Sequence, residues 1–546
     1  MDFSPATRNT NIERMKREVF DLLVIGGGIT GAGVARDAAL RGLTVALVEK
    51  GDFASGTSSK TSRMVHGGLR YVAQGQFGVV AESCRERDRL WRLAPRLVWP
   101  TPFTAPVYRR AKRGLLVARL GLWLYDILAR FRTYQRHRLL RPEQVVAAEP
   151  MIRPTDLVGG AVYYDCRAND ARLTLAVVQS AHEHGALVAN HAEVLGLVKE
   201  HGRVAGAEVW DHIAGERFTV RARVIVNATG VWSDRIRQMD DPTAPPLMVP
   251  SRGSHIVIPR ARLDIRAAVT FTGRDRARFA LEWDNTCILG TTDPQHEGDL
   301  DQVFATAEEV DELLAAANEV FGVHLTRDDV LSTYAGVRPL VRQEGRSAYQ
   351  VSRAHRLVES DAGLLTIAGG KLTTYRQMAE ETVDRAVQKL AREHGIRAKR
   401  GCQTARLPFS GATRDPAAEL ADLAARYPQV ERQVLAHLAR FYGPGADTVL
   451  AFVQADASLG ERLVPGRPYI WAEVPYAVQH EMALTLDDVL IRRTQVFYED
   501  AEQGLGIAGA VANRMARLLG WDEAEVERQV ARYRQQVALS RAFREQ

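Results

Sequence analysis

Three glycines with one carboxylate behind them carry the first chemistry in this 546-residue chain. Gly26, Gly28 and Gly31 form a GxGxxG turn directly after the apolar run Phe20 to Ile25, and the alanine-rich stretch Ala32 to Leu40 follows. The first glycine of such a turn permits the tight bend, the second lets a pyrophosphate approach the backbone, and the third lets helix pack on strand. The pyrophosphate then meets the positive end of the helix. Leu43 to Val48 reads as a second buried strand, and Glu49 closes it. A carboxylate there binds ribose hydroxyls and disfavours a 2'-phosphate. The glycine pattern alone is a weak signal; strand, helix and terminal acid in register make it a strong one.

Two further strand ends offer the same kind of turn. Val224 to Ala228 runs into Thr229-Gly230, and Leu364 to Ala368 runs into Gly369-Gly370-Lys371 at a helix start. Between them and the first turn lies the donor-rich loop Gly56 to Arg63. Three segments converging on one cofactor suit a large dinucleotide such as FAD; a simple NAD dehydrogenase needs only the first. Lys371 is itself a signal. A helix start is already positive, an odd place for a cation unless an anion joins it.

Ordinary globular composition surrounds these residues, 46% hydrophobic and 25% charged, with ample length for a core and for more than one domain. The net charge of +6 favours anionic partners without choosing among them. Cys84, Cys166, Cys287 and Cys402 lie far apart, with no CxxC pair and no zinc spacing. That pattern fits the reducing, cytoplasmic side. Met1 to Lys16 is polar, unlike a secretory signal, and no run of about 18 apolar residues suggests a spanning helix. Ser55 to Arg70 reads as an extended loop. Phe77 to Leu93, Ala171 to His184, Ala307 to Val320 and Glu380 to Glu393 read as helices, and Met248 to Pro259 and Thr286 to Thr291 as strands. Leu407 to Pro416 reads as a linker, with a mostly helical chain beyond it.

An ordered set of blocks carries a resemblance. Ser62-Arg63 with His66-Gly67-Gly68-Leu69-Arg70-Tyr71 resembles the flavin-loop signature of the FAD-dependent, quinone-linked sn-glycerol-3-phosphate dehydrogenases. The blocks Gly253 to Val257, Gly290 to Asp293, Tyr334 to Leu340 and Gly369 to Arg376 are similar to further blocks of that family. So are His480 to Ala483, Leu486 to Leu490 and Arg492-Arg493-Thr494, and the resemblance spans about Phe20 to Arg534. It implies an α/β chain with a glutathione-reductase-like, D-amino-acid-oxidase-like FAD-binding fold, a mixed α+β substrate domain and a helical C-terminal domain. The FAD-binding domain is expected in three parts, 20–105, 171–245 and 336–400, with a basic cap segment at 106–170, a substrate domain at 246–335 and the helical domain at 401–546.

The resemblance also implies site residues. FAD is expected on Gly26, Gly28, Gly31, Glu49, Lys50, Thr57, Ser58, Ser62, Arg63, His66, Gly67, Gly68, Leu69, Ala228, Thr229, Gly230, Gly369, Gly370, Leu372 and Thr373. A phosphate pocket falls on Arg70, Arg353 and Lys371, with Tyr71 and Thr291 near the substrate. A planar guanidinium suits a phosphate because it donates bidentately. His255 is expected as general base, since imidazole titrates near working pH. Arg338 is expected as a fixed cation that stabilises negative charge in the transition state. Read from residues alone, His255 fits a structural strand histidine equally well, and the arginines fit a solvated surface. The implied reaction oxidises glycerol 3-phosphate to dihydroxyacetone phosphate and passes electrons to a membrane quinone. The calcium loop DxDxDG of mitochondrial members is absent, and the chain is short for the insertion that the soluble oxidases carry.

Arg109 to Arg138 holds nine lysines or arginines and one acid, Asp126, around an apolar stretch with Trp123 and Tyr125. It fits an interfacial helix on the anionic inner face of the cell membrane, and it fits an ordinary core-packed helix as well. A homodimer stays compatible with the C-terminal helices. Rival readings are a glycerol-phosphate oxidase, an amine or amino-acid oxidase, and a flavin-binding scaffold without turnover. No nucleic-acid partner is expected, since no RNA-binding motif or helix-turn-helix stands out.

Overall fold

The computed structural model describes residues 2–109, 114–272, 276–342, 354–411 and 415–546. The first apolar run is the strand Val19–Ile25, buried at every residue but the first. A strand buried on both faces belongs in a parallel sheet covered by helices. Val19–Ile25 pairs in parallel with Val45–Val48 on one side and Glu216–Asn227 on the other. Leu187–Ala189 extends the sheet beyond Val45–Val48, and Leu365–Gly369 extends it beyond Glu216–Asn227, both parallel. His355–Glu359 closes that edge antiparallel, and Ala192–Glu200 with Arg203–Asp211 forms an antiparallel excursion. Helices Ile29–Leu40, Asp170–Glu183 and Tyr375–His394 pack together over one face.

The register decides where a ligand can sit. Ile25 lies opposite Asn227, and Asn227 opposite Thr366. The three strands that run into the glycine turns therefore end side by side, and open parallel sheets bind their ligands beyond such ends.

A second sheet stands against the first. Its order is Ser332–Val341, Met248–Pro259, Thr286–Gly290, Ala277–Trp283, Ala268–Thr272, Val98–Tyr108, Leu157–Ala168 and Met64–Val65, with Arg138–Leu140 beside Leu157–Ala168. Its strands come from several of the expected segments, and segment 106–170 supplies Leu157–Ala168 as an inner strand. Segment 20–105 gives it Met64–Val65 and Val98–Tyr108, and Ser332–Val341 crosses the expected boundary at 336. Strand partners lie far apart in sequence, so local periodicity could not reveal this interleaving.

Three local readings also change. Ser55 to Arg70 is not simply extended: it holds the 3-10 turn Thr57–Ser59, the strand Met64–Val65 and the start of a second 3-10 turn, Leu69–Gln74. The polar N-terminal stretch forms the helix Pro5–Arg17, capped by Ser4 and docked by buried Arg8, which pairs with Asp211 at 2.7 Å. The expected linker from Leu407 packs at its start: Phe409 is buried beneath the Arg36 guanidinium, 4.5 Å from its ring centre. Beyond it, helices from Pro416–Arg426 to Glu523–Arg541 pack on the second sheet. Ser332 Oγ donates to the Tyr498 carbonyl at 2.9 Å, and Thr333 Oγ1 to the Ser540 carbonyl at 2.7 Å.

Candidate active site

The three strand ends open on a cavity of about 1190 Å³ that communicates with solvent. Gly26, Gly28, Glu49, Lys50, Thr57, Ser58, Ala228, Thr229, Gly230, Gly369, Gly370, Lys371 and Leu372 all line it. Gly31 does not; a Cβ there would come within 1.9 Å of the Gly26 carbonyl, so its part is to let helix meet strand. Burial pushes the Glu49 carboxyl up, and the Gly51 and Gly27 N–H groups, at 2.9 and 2.6 Å, pull it back. Ser58 Oγ accepts from the Ile29 N–H at the helix start, and Thr57 Oγ1 donates to the Val337 carbonyl at 2.6 Å, stitching the loop to the second sheet. Lys50 lies 4.1 Å from the Trp232 ring centre. A long groove of backbone donors, a helix start and an acid at its second strand fit an extended dinucleotide.

Toward the second sheet, the expected reacting groups meet in pairs. His255 is opposite Gly290 on one side and Tyr334 on the other. Partners across antiparallel strands share a face. The Tyr334 ring therefore stacks on the imidazole, with centroids 4.7 Å apart, while Gly290 leaves room for it: a Cβ there would lie 2.2 Å from His255 Cδ2. His255 Nε2 shares a 2.7 Å hydrogen bond with Ser62 Oγ, and Nδ1 is buried with no partner among the described residues. Burial, then the Arg338 and Arg63 charges, push this imidazole down to about 3. Arg338 packs over Gly253 in the same way and is fixed by Asp293 at 2.9 Å, the Arg252 carbonyl at 2.9 Å and Thr291 Oγ1 at 2.9 Å. Thr61 and Pro339, the chain neighbours of Ser62 and Arg338, line the cavity, so the pair stands one residue behind its wall.

A second cluster forms around Lys371. Arg70 Nη2 donates to Tyr71 Oη at 2.9 Å, and Lys371 Nζ lies 5.0 Å from the Tyr71 ring centre. Nζ is buried and has no hydrogen-bond partner among the described residues. Burial, with Arg70 adding to it, pushes the ammonium below its ordinary value. Glu82 is the carboxylate nearby, but it makes no hydrogen bond or ion pair with Nζ; a buried cation without such a partner is costly, and an anionic ligand removes that cost. Gly67 N–H donates to Asp165 at 3.0 Å and His66 N–H to Thr373 Oγ1 at 3.1 Å, which ties the loop from His66 through Leu69 to both sheets.

Comparison with known proteins bears on this site. Residues 21–376 match the family model of FAD-dependent oxidoreductases, and residues 402–526 match the C-terminal domain of alpha-glycerophosphate oxidase. A glycerol-3-phosphate dehydrogenase from Synechocystis sp. is 37% identical over 96% of this chain and 97% of its own. The chain belongs to the FAD-dependent glycerol-3-phosphate dehydrogenase family. An aerobic glycerol-3-phosphate dehydrogenase from Staphylococcus aureus is 35% identical over 94% of each chain. The solved glycerol-3-phosphate dehydrogenase from Bacillus halodurans, complexed with FAD, superposes with a TM-score of 0.82 at 31% identity, over 99% of this chain and 98% of that one. The D-amino-acid-oxidase-type fold and the FAD cofactor follow from membership of this family.

Within that family frame, one expected cofactor residue points elsewhere. Arg63 turns its guanidinium over Trp283, at 4.3 Å, and Tyr498, at 5.1 Å. Its N–H donates to Thr61 Oγ1 and its carbonyl accepts from the Ala168 N–H. Arg353 lies outside the described residues. Trp232, Tyr334 and Asp293 form part of the site without having been assigned a role from sequence. Asp293 had a signal, an acid two residues after Thr291. Tyr334 had one only through its register opposite His255, which local sequence does not reveal.

Proposed function

We propose that the protein oxidises sn-glycerol 3-phosphate at C2 to dihydroxyacetone phosphate and delivers the electrons to a membrane quinone. The observation that carries this reading is the buried, partnerless Lys371 ammonium beside Arg70 and Tyr71. FAD, held along the turn of Gly26 and Gly28, Glu49 and Gly230, would supply the two-electron acceptor for the C2 hydride. The protein does the rest. Lys371 and Arg70 clasp the phosphate dianion. Arg338, held by Asp293, faces the developing negative oxygen. His255 Nε2, hydrogen-bonded to the Ser62 hydroxyl, takes the hydroxyl proton. An imidazole held near 3 by burial and the Arg338 charge is a weak base; the negative charge that develops on the substrate oxygen beside Arg338 offsets that charge and raises it.

The helix Leu115–Leu128 supports delivery to a membrane. Leu116, Leu120, Trp123 and Ile127 are 68, 62, 42 and 53% exposed and share one stripe. Asp126, the one acid, is turned inward against His137 at 2.8 Å, while Arg119 in the helix and Arg130, Arg132, Arg136 and Arg138 after it are exposed. Such a face suits the surface of an anionic bilayer. No helix among the described residues is long and apolar enough to cross one.

The match of residues 402–526 to an oxidase domain favours a second reading, with oxygen as acceptor. Parallel assays with a short-chain quinone and with oxygen separate them. Quinone reduction with little oxygen uptake is expected; hydrogen peroxide formed at the rate of turnover would replace the quinone with oxygen. Sedimentation with anionic liposomes at low salt should carry the protein down, and its absence would remove the membrane face.

A further inference from the structure

Apart from the cofactor cleft, a cavity of about 920 Å³ lies between the second sheet and the C-terminal helices and shares no lining residue with the cleft. Four arginines line it. Arg167 is paired with Glu282 at 3.1 Å, and Arg172 with Glu481. The other two make no ion pair within 4 Å among the described residues, although Glu282 and Asp284 of the lining lie near Arg440. Arg96 is buried and spends Nη1 on the Arg440 and Phe441 carbonyls, at 3.0 and 2.7 Å. Arg440 rests on Trp99, 3.9 Å from the ring centre, and makes no ion pair or hydrogen bond with its side chain among the described residues.

The unsatisfied atoms all have one sign. Arg96 Nε, Arg172 Nε, Trp99 Nε1 and Asn169 Nδ2 are buried without a partner, and no acceptor of a lining residue shares that condition. Buried donors left unpaired cost about 1–3 kcal/mol each. Several around one space call for an acceptor, and an oxyanion meets them together with the charge of Arg96, which no ion pair offsets among the described residues. Burial, then the neighbouring Arg172 charge, lowers the Arg96 guanidinium to about 10, so it remains charged at neutral pH, and Arg440 is exposed at the mouth of the cavity. Glu499, the buried acid of the cavity, accepts from Tyr469 Oη at 3.0 Å and is pushed up to about 7 by burial and then by Asp284, which weakens its repulsion of an anion.

We propose that this cavity binds a small oxyanion, a phosphate ester or a carboxylate, through Arg96 and Arg440 at the junction of the catalytic and helical parts. Planar guanidinium forks suit either group, and the Trp99 ring gives Arg440 a fixed platform. The site also adjoins the reacting groups. Trp283 lines the cavity and carries Arg63, which touches Tyr498; Tyr498 packs 5.3 Å from Tyr334, the ring stacked on His255.

Calorimetric titration of the holoenzyme, with inorganic phosphate in one arm and malonate in the other, tests this. We expect binding that survives Lys371→Ala, which removes the phosphate grip of the cleft, and that weakens at least tenfold in Arg440→Gln. Arg440→Lys should restore it to within tenfold of the parent, and turnover of Arg440→Gln without added anion should stay within twofold. A preference for phosphate or for malonate assigns the ligand group. If neither anion binds Lys371→Ala, or if Arg440→Gln binds as the parent does, the cavity is no anion site.

Discussion

Two buried polar clusters in this molecule use the same residue types to opposite ends. One joins Asp52, His191, Asp488, Arg492 and Arg493, and its Asp52, His191 and Asp488 could by geometry hold a metal ion. Every carboxylate oxygen there is already taken. Asp52 accepts from Arg492 at 2.7 Å, from Arg493 at 2.6 and 2.9 Å and from Asn190 at 3.1 Å. Asp488 accepts from His191 at 3.0 Å, Arg492 at 2.6 Å, the Thr485 hydroxyl at 2.6 Å and the Leu484 and Thr485 N–H groups at 2.8 and 3.0 Å. The other cluster, around Lys371 and His255, leaves Lys371 Nζ and His255 Nδ1 buried and unpaired. Saturation marks a lock that joins the helical region to the first sheet. Deficit marks the place where a ligand completes the structure.

The contrast makes mutations diverge. Asp52→Ala takes from buried Arg493 the carboxylate it hydrogen-bonds, and from Arg492 one of two, and should cost about 3–5 kcal/mol, seen as a large fall in melting temperature of the holoenzyme. An unchanged melting temperature would mean the lock holds nothing. His255→Ala should lower turnover on the order of 100-fold while FAD stays bound. Unchanged turnover at saturating substrate would remove His255 from the reaction. Lys371→Met should raise KM for glycerol 3-phosphate about tenfold or more, since a charge-assisted contact contributes about 1.5–3 kcal/mol. It should leave the melting temperature equal or higher, because it deletes an uncompensated charge, and a clear fall would place Lys371 with the locked cluster instead. The smallest effect concerns acid. Burial pushes the Asp488 carboxyl up, but the His191, Arg492 and Arg493 charges hold it well below its usual range. Its contribution is therefore complete above the unfolded value of about 4 and is lost as pH falls below it. Melting temperature should fall below about pH 4 less steeply in Asp488→Asn than in the parent, and equal slopes would count against that linkage.

Much of the cleft was legible because its signals are local. A strand, a glycine turn, a helix and a closing acid follow one another within Phe20 to Glu49, and the ends at Gly230 and Gly369 repeat the turn. What escaped depends on distant partners. The second sheet draws strands from Met64–Val65 to Ser332–Val341, so its membership could not follow from contiguous blocks. Arg63 sits in a family block, yet its positive φ of 51° folds it back onto aromatics more than 200 residues away. The helix Pro5–Arg17 was hidden because its buried face mixes the polar Arg8 and Asn11 with only two apolar residues, Ile12 and Met15. The blocks at His480 to Thr494 look as functional in sequence as those at Gly369 to Arg376. What separates them is that Asp488 pairs with Arg492, and Arg492 and Arg493 pair with Asp52, whereas Lys371 Nζ has no hydrogen-bond partner among the described residues.

The central claim is that the unpaired Lys371 end of the cleft receives a phosphorylated alcohol against a bound flavin. Anaerobic titration of the purified yellow holoenzyme with glycerol 3-phosphate, followed by flavin absorbance, tests it most directly. Bleaching by glycerol 3-phosphate and not by glycerol is the predicted result. A flavin that stays oxidised with glycerol 3-phosphate, or that bleaches equally with glycerol, would contradict the account.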